Sequence, residues 1–403
     1  MKLDDICELI VDCEHKTAPT QETGYPSIRT PNIGRGYFLL DGVNRVSEAT
    51  YRLWTRRAVP KPGDLIMARE APVGNVAMIP QGLQPCLGQR TLLIRPDKTK
   101  VDSRYLAYLL VGDEVQATIH AMTNGVTVPH LNMKDVRTLK LPPIPDLRVQ
   151  QKIASALSAY DDLIENNTRR IRLLERMAQA IYREWFVQFR FPGHDKVKRI
   201  ASPLGPVPQG WQPGTLGDLA NELRRSVNPD EVDEDTPYIG LEHMPRKSIA
   251  LAEWGSASEV QSTKLLFKRG DILFGKIRPY FHKVGVAVVD GVCSTDAIVI
   301  VPKKPEYFAL VLACASSEAF VSHATQTSQG TKMPRANWDV LTKYPVPVPP
   351  EPLLSEFSAV VGDTVVLIRN LIFKNRNLRR SRDLLLPKLI SGALSVENVE
   401  VAA

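Results

Sequence analysis

Cysteine is scarce in this sequence, and long apolar runs are missing. Five cysteines (Cys7, Cys13, Cys86, Cys293 and Cys314) are scattered over 403 residues, an odd number with no C-x-x-C pair. This excludes a disulfide framework and a thiol-ligated zinc site, and it predicts reduced thiols, most of them buried as small hydrophobes. No stretch approaches the roughly 20 apolar residues that cross a bilayer. The opening MKLDDICELI is too acidic and too interrupted for a signal peptide, so the expected location is the cytoplasm.

Catalytic signatures are missing as well. Gly270 to Lys276 has the spacing of a Gly-x4-Gly-Lys phosphate loop, but Ile277 stands where Ser or Thr must hold magnesium. An amino methyltransferase would need an Asn- or Asp-Pro-Pro-aromatic loop, whereas Asn228-Pro229 runs on into the acidic stretch 230–235, to which the sequence assigns no role. Asp12, Glu14 and Lys16 offer a faint version of a nuclease cluster without a second carboxylate group beside it. Seven histidines form no H-E-x-x-H pair and no zinc spacing, and His15 reads as a turn or surface residue. No catalytic residue, metal ligand or cofactor site is expected.

What the sequence does have is itself, twice. GVTVPHLNMKDVRTLKLPPIP (125–145) returns as GTKMPRANWDVLTKYPVPVPP (330–350). Both run from Gly to Pro, to an Asn three residues on, to Asp-Val, and to a proline-studded exit. KPGDLIMAR (61–69) returns as KRGDILFGK (268–276), and CLGQRTLLIRP (86–96) as GVCSTDAIVIVP (291–302), each a turn feeding a buried strand. Repetition at this scale governs the whole fold. It predicts two copies of one α+β globule.

After each proline exit the pattern becomes helical. Ile153, Leu157, Tyr160, Ile164, Asn167, Ile171, Leu174, Ala178, Ile181 and Trp185 follow one another in steps of four and three. So do Phe357, Val361, Thr364, Ile368, Leu371, Asn375, Leu378, Arg382 and Leu385. A period of 3.5 over about four heptads is a coiled-coil seam, and the chain offers two such helices, which predicts that they pair antiparallel. Setting Asn167 against Asn375 puts Leu157 opposite Leu385, Ile171 opposite Leu371 and Trp185 opposite Phe357, with Arg382 lying on the ring of Tyr160. The expected layout is a globule (1–146), a helix (147–190), a Pro- and Gly-rich linker (191–213), a second globule (214–350), a second helix (351–391) and a tail (392–403). The fold class is α/β: two tandem α+β globules plus an antiparallel coiled coil.

The formal net charge of +7 is concentrated in the two segments that follow the repeated stretch. This suits a polyanion partner. Matching loops of both copies carry donors suited to base edges and phosphates. In the first copy they are Arg69, Gln89, Arg90, Asn124, Thr127 and His130. In the second they are Lys276, Arg278, Tyr280, His282, Gln329, Lys332 and Arg335. The positions match while the residue types differ, as a reader of two unlike DNA half-sites requires.

On these residues the chain resembles the specificity subunit of type I restriction–modification systems. DCEHKTAP (12–19), GDLIMAREAPVGNVAMIP (63–80), CLGQRTLLIRP, the 125–145 stretch with its QQKIASALSAYDDLIENNTRRIRLLE helix, and FPGHD with PLGPVPQGW carry the likeness. The second half lacks the REAP and GQR patterns and opens its helix with Ser355-Glu356 in place of Gln-Gln. The resemblance implies two target-recognition domains that read a bipartite, asymmetric duplex DNA site. It also implies methyltransferase subunits, two in number, docked on the helices, and a separate restriction (translocase) subunit. S-adenosylmethionine, ATP and magnesium would then sit on those partners and none on this chain. Two other classes stay open from sequence: a divergent fused DNA methyltransferase or nuclease, and a helical scaffold that binds only protein.

If the helices space the two readers, residues 153–185 make a rod of about 50 Å at ~1.5 Å per residue. That suits half-site centres about 34–36 Å apart. Inserting four residues in each helix is expected to add about 6 Å and to widen the gap in the methylated site, as mapped genome-wide. An unchanged gap would refute the spacer role.

Overall fold

The computed structural model describes residues 1–123 and 129–397. Two compact units emerge. One comprises Met1–Leu163 with Asn377–Ala403, the other Ile164–Arg376. The division cuts across both long helices, so each unit holds a globule together with a stretch of each helix.

In the first unit a four-stranded sheet is ordered Cys7–Asp12, Thr91–Pro96, Leu65–Ala68, Val76–Met78. In the second, the order Ala220–Glu222, Ala297–Pro302, Ile272–Gly275, Val284–Val286 reproduces it strand for strand. All pairs are antiparallel, and even the register repeats: Leu65 lies opposite Ile94 as Ile272 lies opposite Ile300. The two-residue period of a strand divides its side chains between two cores. Leu65, Met67, Leu92 and Ile94 face the helices Ser103–Val111 and Asp113–Ala121, while Ile66, Ala68, Ala77 and Leu93 face the opposite layer. Ile272, Phe274, Ile298 and Ile300 likewise face the helices Phe308–Ala315 and Glu318–Gln326, and Leu273, Ala297 and Val299 face away. Buried on both faces, these strands read as continuous apolar runs, which is why LIMA and ILFG stand out in the sequence.

The turn entering the central strand is also repeated. Gly63 and Gly270 are left-handed (φ 90° and 96°), and the next residue, Asp64 or Asp271, accepts the amide of Lys61 or Lys268 at 2.9 and 2.7 Å. A residue with a Cβ is strained at such a φ, so Gly-Asp recurs. The copies differ in how they neutralise the aspartate. Arg95 grips Asp64 through both carboxylate oxygens, at 2.9 and 2.7 Å. Register puts Val301 at the place of Arg95, and burial raises the pKa of Asp271.

The long helices span Leu147–Tyr182 and Glu351–Ile390. Asp146 caps the first, its carboxylate accepting the amide of Val149 at 3.0 Å. Gln150, fully buried, ties that helix start to the globule by accepting from the amide of Asp102 and donating to the carbonyl of Pro145, at 2.9 and 2.8 Å. Within the second unit the helices run antiparallel: Asn167 Nδ2 donates to Asn375 Oδ1 at 2.9 Å, and the ring of Phe357 lies 5.9 Å from Trp185 and 4.6 Å from Phe186. Asn375 Nδ2 reaches Thr168 Oγ1 at 3.3 Å, so the buried amides answer one another. Glu175, also buried, accepts at one oxygen from Ser248 Oγ and the amides of Ile249 and Ala250, at 2.6, 2.8 and 3.1 Å.

In the first unit the seam departs from expectation. Arg382 does not lie on Tyr160; its guanidinium pairs with Asp161 and, at 2.9 Å, with Asp383, and Asp161 also accepts from Tyr108 Oη. A carboxylate one residue along the seam outcompetes a ring for a half-buried cation, because charge-assisted hydrogen bonds strengthen as water is excluded. The Pro- and Gly-rich stretch 191–213 is not slack either: Phe191, Val207 and Trp211 are buried in the second unit's core, with Trp211 5.2–5.5 Å from Phe186, Phe189 and Phe191.

The asparagine pair yields a double-mutant prediction. Asn167→Leu leaves Asn375 Oδ1 buried without its donor and is expected to cost about 1–3 kcal/mol in urea unfolding. Adding Asn375→Leu is expected to recover most of that loss. A double variant as unstable as the sum of the singles would show that the pairing is not what stabilises this layer.

Candidate nucleic-acid interface

Loops that leave the central sheets gather the polar residues singled out by sequence. In the second unit the strand Ile272–Gly275 runs into Lys276, Ile277 and Arg278, and a tight turn, Pro279–Phe281, leads to His282. Within Gly270 to Lys276 the residues Ile272–Gly275 are strand, so the segment is not a phosphate loop. A small hairpin, closed by mutual backbone bonds between Gln329 and Arg335 (3.0 and 2.8 Å), lies along this segment. Arg278 N donates to Pro334 O at 2.7 Å and Ala336 N to Lys276 O at 2.9 Å. Lys276, Arg278, Tyr280, Gln329, Lys332 and Arg335 thus share one loop cluster. Gln329 and Lys332 are exposed, and Arg335 is 57% exposed, leaning towards Asp296 at 3.6 Å.

His282 is not part of that exposed set. Its ring is 6% exposed, and Nε2 donates to the carbonyl of Ser316 at 2.8 Å. Burial holds its pKa below the ordinary value near 6.5. With Arg278 (φ 48°) and His282 (φ 51°) both left-handed, the turn is strained and is held from outside itself. His282 is a bolt for the turn, not a reader.

The first unit places Arg69, Gln89 and Arg90 together and sets them differently. Arg69 is 14% exposed: Nη1 meets Asp12 at 2.6 Å, and Nε donates to Leu131 O at 2.9 Å. It braces the loop that carries His130, which is half-buried. Arg90, left-handed at φ 66° and 57% exposed, pairs with Glu70 at 2.6 Å. Gln89 bridges the carbonyl of His15 and Thr17 Oγ1, both at 3.3 Å. Asn124 and Thr127 lie outside the described residues. Sequence reading missed Arg56 and Arg57, which come from a distant helix end to hold Glu14 and the carbonyl of Cys13, at 3.0 and 3.2 Å.

These contacts also dispose of the faint nuclease cluster. Among the described residues one set of ligand-type groups lies together: Asp12, Cys13 and His15. Asp12 Oδ2, the atom facing His15 at 2.9 Å, is already occupied by the Arg69 guanidinium, and burial raises the Cys13 thiol. Glu14 is occupied by Arg56. A cation would have to displace an arginine to enter. No single helix among the described residues is long and apolar enough to cross a membrane.

Comparison with known proteins gives a consistent picture. The family model for the type I restriction modification DNA specificity domain matches residues 1–176 and again 208–352. The MjaIX specificity subunit of Methanocaldococcus jannaschii is 25% identical over 382 residues, covering 90% of this chain and 84% of that protein. The EcoDI specificity subunit of Escherichia coli is 25% identical over 340 residues, covering 77% and 73%. In fold, the chain is similar to the crystal structure of the S subunit of the type I restriction–modification system of M. genitalium: TM-score 0.55, 15% identity, 97% of this chain and 95% of that one.

The buried histidine is expected to make the second unit lose stability in acid. The unfolded chain binds a proton at His282 near pH 6.5, while the folded chain resists it. Its contribution to stability is therefore complete above about pH 6.5 and lost as pH falls through the depressed folded value. Lys247 works against protonation and Glu318 for it. His282→Gln is expected to flatten the fall in melting temperature between pH 7.5 and 5. An equal fall in both proteins would refute this.

Proposed function

This chain belongs to the type I restriction–modification specificity subunits, non-catalytic proteins, and from that premise we propose that it reads a bipartite, asymmetric duplex DNA site, one half by each unit. The observation that carries the reading is the repeated sheet. Identical strand order and register are fitted with unlike loops: a braced Arg69 and an exposed Arg90 in one unit, and an open cluster of Lys276, Arg278, Gln329, Lys332 and Arg335 in the other. One scaffold with two loop chemistries supports two half-sites of different sequence. Arginine suits guanine, glutamine suits adenine, and lysine suits phosphate.

Chemistry on the DNA falls to partners. Methyltransferase subunits would bring S-adenosylmethionine, and a restriction subunit ATP and magnesium. The long helices are suited to hold the methyltransferases, since Leu163, Leu173 and Met177 on one and Val360, Val366 and Leu367 on the other remain exposed although the seam has buried its own apolar residues.

Domain exchange tests the reading. Residues 1–145 are replaced by those of another family member, and the chimera is produced with its methyltransferase while genomic methylation is mapped. One half of the methylated site is expected to change and the other to persist. A change in both halves, or in neither, would overturn the two-reader assignment.

A further inference from the structure

The loop cluster of the second unit also presents two large, exposed apolar side chains. Tyr280 is 51% exposed and Met333 50%. They flank the Arg278–Pro334 backbone bond, Tyr280 two residues beyond one partner and Met333 one residue before the other. Around them stand Lys332, whose carbonyl is reached by the Arg278 guanidinium at 3.4 Å, and Arg335. Exposed apolar groups on the loop cluster that carries Lys332 and Arg335 suit a partner with an anionic rim and a stacked apolar interior.

The tip is held by contacts of its own. The Tyr280 ring stands edge-on to Phe281 at 4.8 Å, and the Arg246 guanidinium lies over the Phe281 ring at 4.2 Å. His282 bolts one end of the turn to Ser316 and the amide of Lys247 donates to His282 O at 2.8 Å, while the Arg278–Pro334 bond holds the other end. Two non-glycine residues kept left-handed four positions apart are tolerated only where surroundings over-determine the backbone. The corresponding segment of the first unit, 69–75, buries its large apolar residue, Val73.

We propose that Tyr280 and Met333 form a wedge that enters between base pairs of the second half-site and unstacks one step, with Lys332 and Arg335 holding the flanking phosphates. The proposal rests on the DNA-reading function above. Apolar side chains inserted between base steps unstack and kink duplexes, and the energy to unstack depends on the step, so such a wedge selects sequence without hydrogen bonds to bases. Recognition by the second unit is then partly a matter of DNA deformability.

The test uses the full chain assembled with its methyltransferase subunits and a duplex carrying the methylated site found by genomic mapping. 2-Aminopurine is placed in turn at each purine of the second half-site. The wild-type complex is expected to raise its fluorescence at one step. Tyr280→Ala with Met333→Ala should abolish that rise and weaken binding to the site about tenfold, leaving binding to scrambled duplex unchanged. Tyr280→Phe with Met333→Leu should keep both. Lys332→Ala should keep the fluorescence rise and reduce the salt slope by about one. A rise that persists in the double alanine variant, or a wild-type complex that binds its site with no rise anywhere, would overturn the wedge alone. A double variant that loses methyltransferase assembly instead would assign the tip to a protein contact. Wild-type binding no tighter to the site than to scrambled DNA would overturn the DNA-reading function itself.

Discussion

Burial of apolar helix faces against the two sheet-and-helix layers is the interaction on which everything else depends, because neither globule closes its core alone. The first unit's core takes Ile153, Ala154 and Leu157 from one long helix and Leu389 from the other. The second takes Ile171 and Ala178 together with Phe357, Val361, Ile368 and Leu371. Removing a fully buried Leu, Ile or Phe side chain from water contributes about 1.5–3 kcal/mol, so these few residues weigh heavily in a domain of marginal stability. Polar residues in the seam find partners: Asn167 meets Asn375, and Arg382 meets Asp161, which also accepts from Tyr108. They add little net energy but penalise any slip of one helix along the other.

Fixing the scaffold so firmly leaves the loops free to differ. The Gly-Asp turn, the central strand and its register are repeated, yet the same aspartate is balanced by Arg95 in one copy, and in the other the register puts Val301 at the place of that arginine. At the end of that strand Arg69 is drawn inward by Asp12, whereas Lys276 opens a cluster with exposed Gln329 and Lys332. An arginine caged by a carboxylate shapes a loop; an exposed one is available to a phosphate or a base. Unequal chemistry on equal frames follows from loops tolerating change that buried strands do not.

What sequence conveyed was whatever periodicity encodes. Strands buried on both faces gave LIMA and ILFG, and a 3.5-residue seam gave the helices, their pairing and the asparagine layer. What it did not convey depends on where a side chain swings once the backbone is set. The seam puts Arg382 on Tyr160, but its head reaches Asp161. His282 was grouped with the readers because it stands beside Tyr280. Only the left-handed backbone at both ends of the turn reveals that its ring points into the protein. The partner of Arg69 lies 57 residues away across the sheet, and no local pattern announces it. Trp211 and Phe191, in a stretch whose prolines and glycines suggested slack, are buried by aromatic packing that composition alone does not reveal.

The first unit's composition bears on how the chain is made. Its core needs Leu389 and Val396 as well as residues 3 to 157. Synthesis proceeds from the amino end at about 5–20 residues per second, so the first globule emerges early and then waits tens of seconds for the residues that finish it. The second unit, contiguous from Ile164 to Arg376, has every one of its parts sooner. The half written first is therefore completed last. For that interval the core that Leu389 will complete stays open, within reach of chaperones or of any partner helix that arrives during translation.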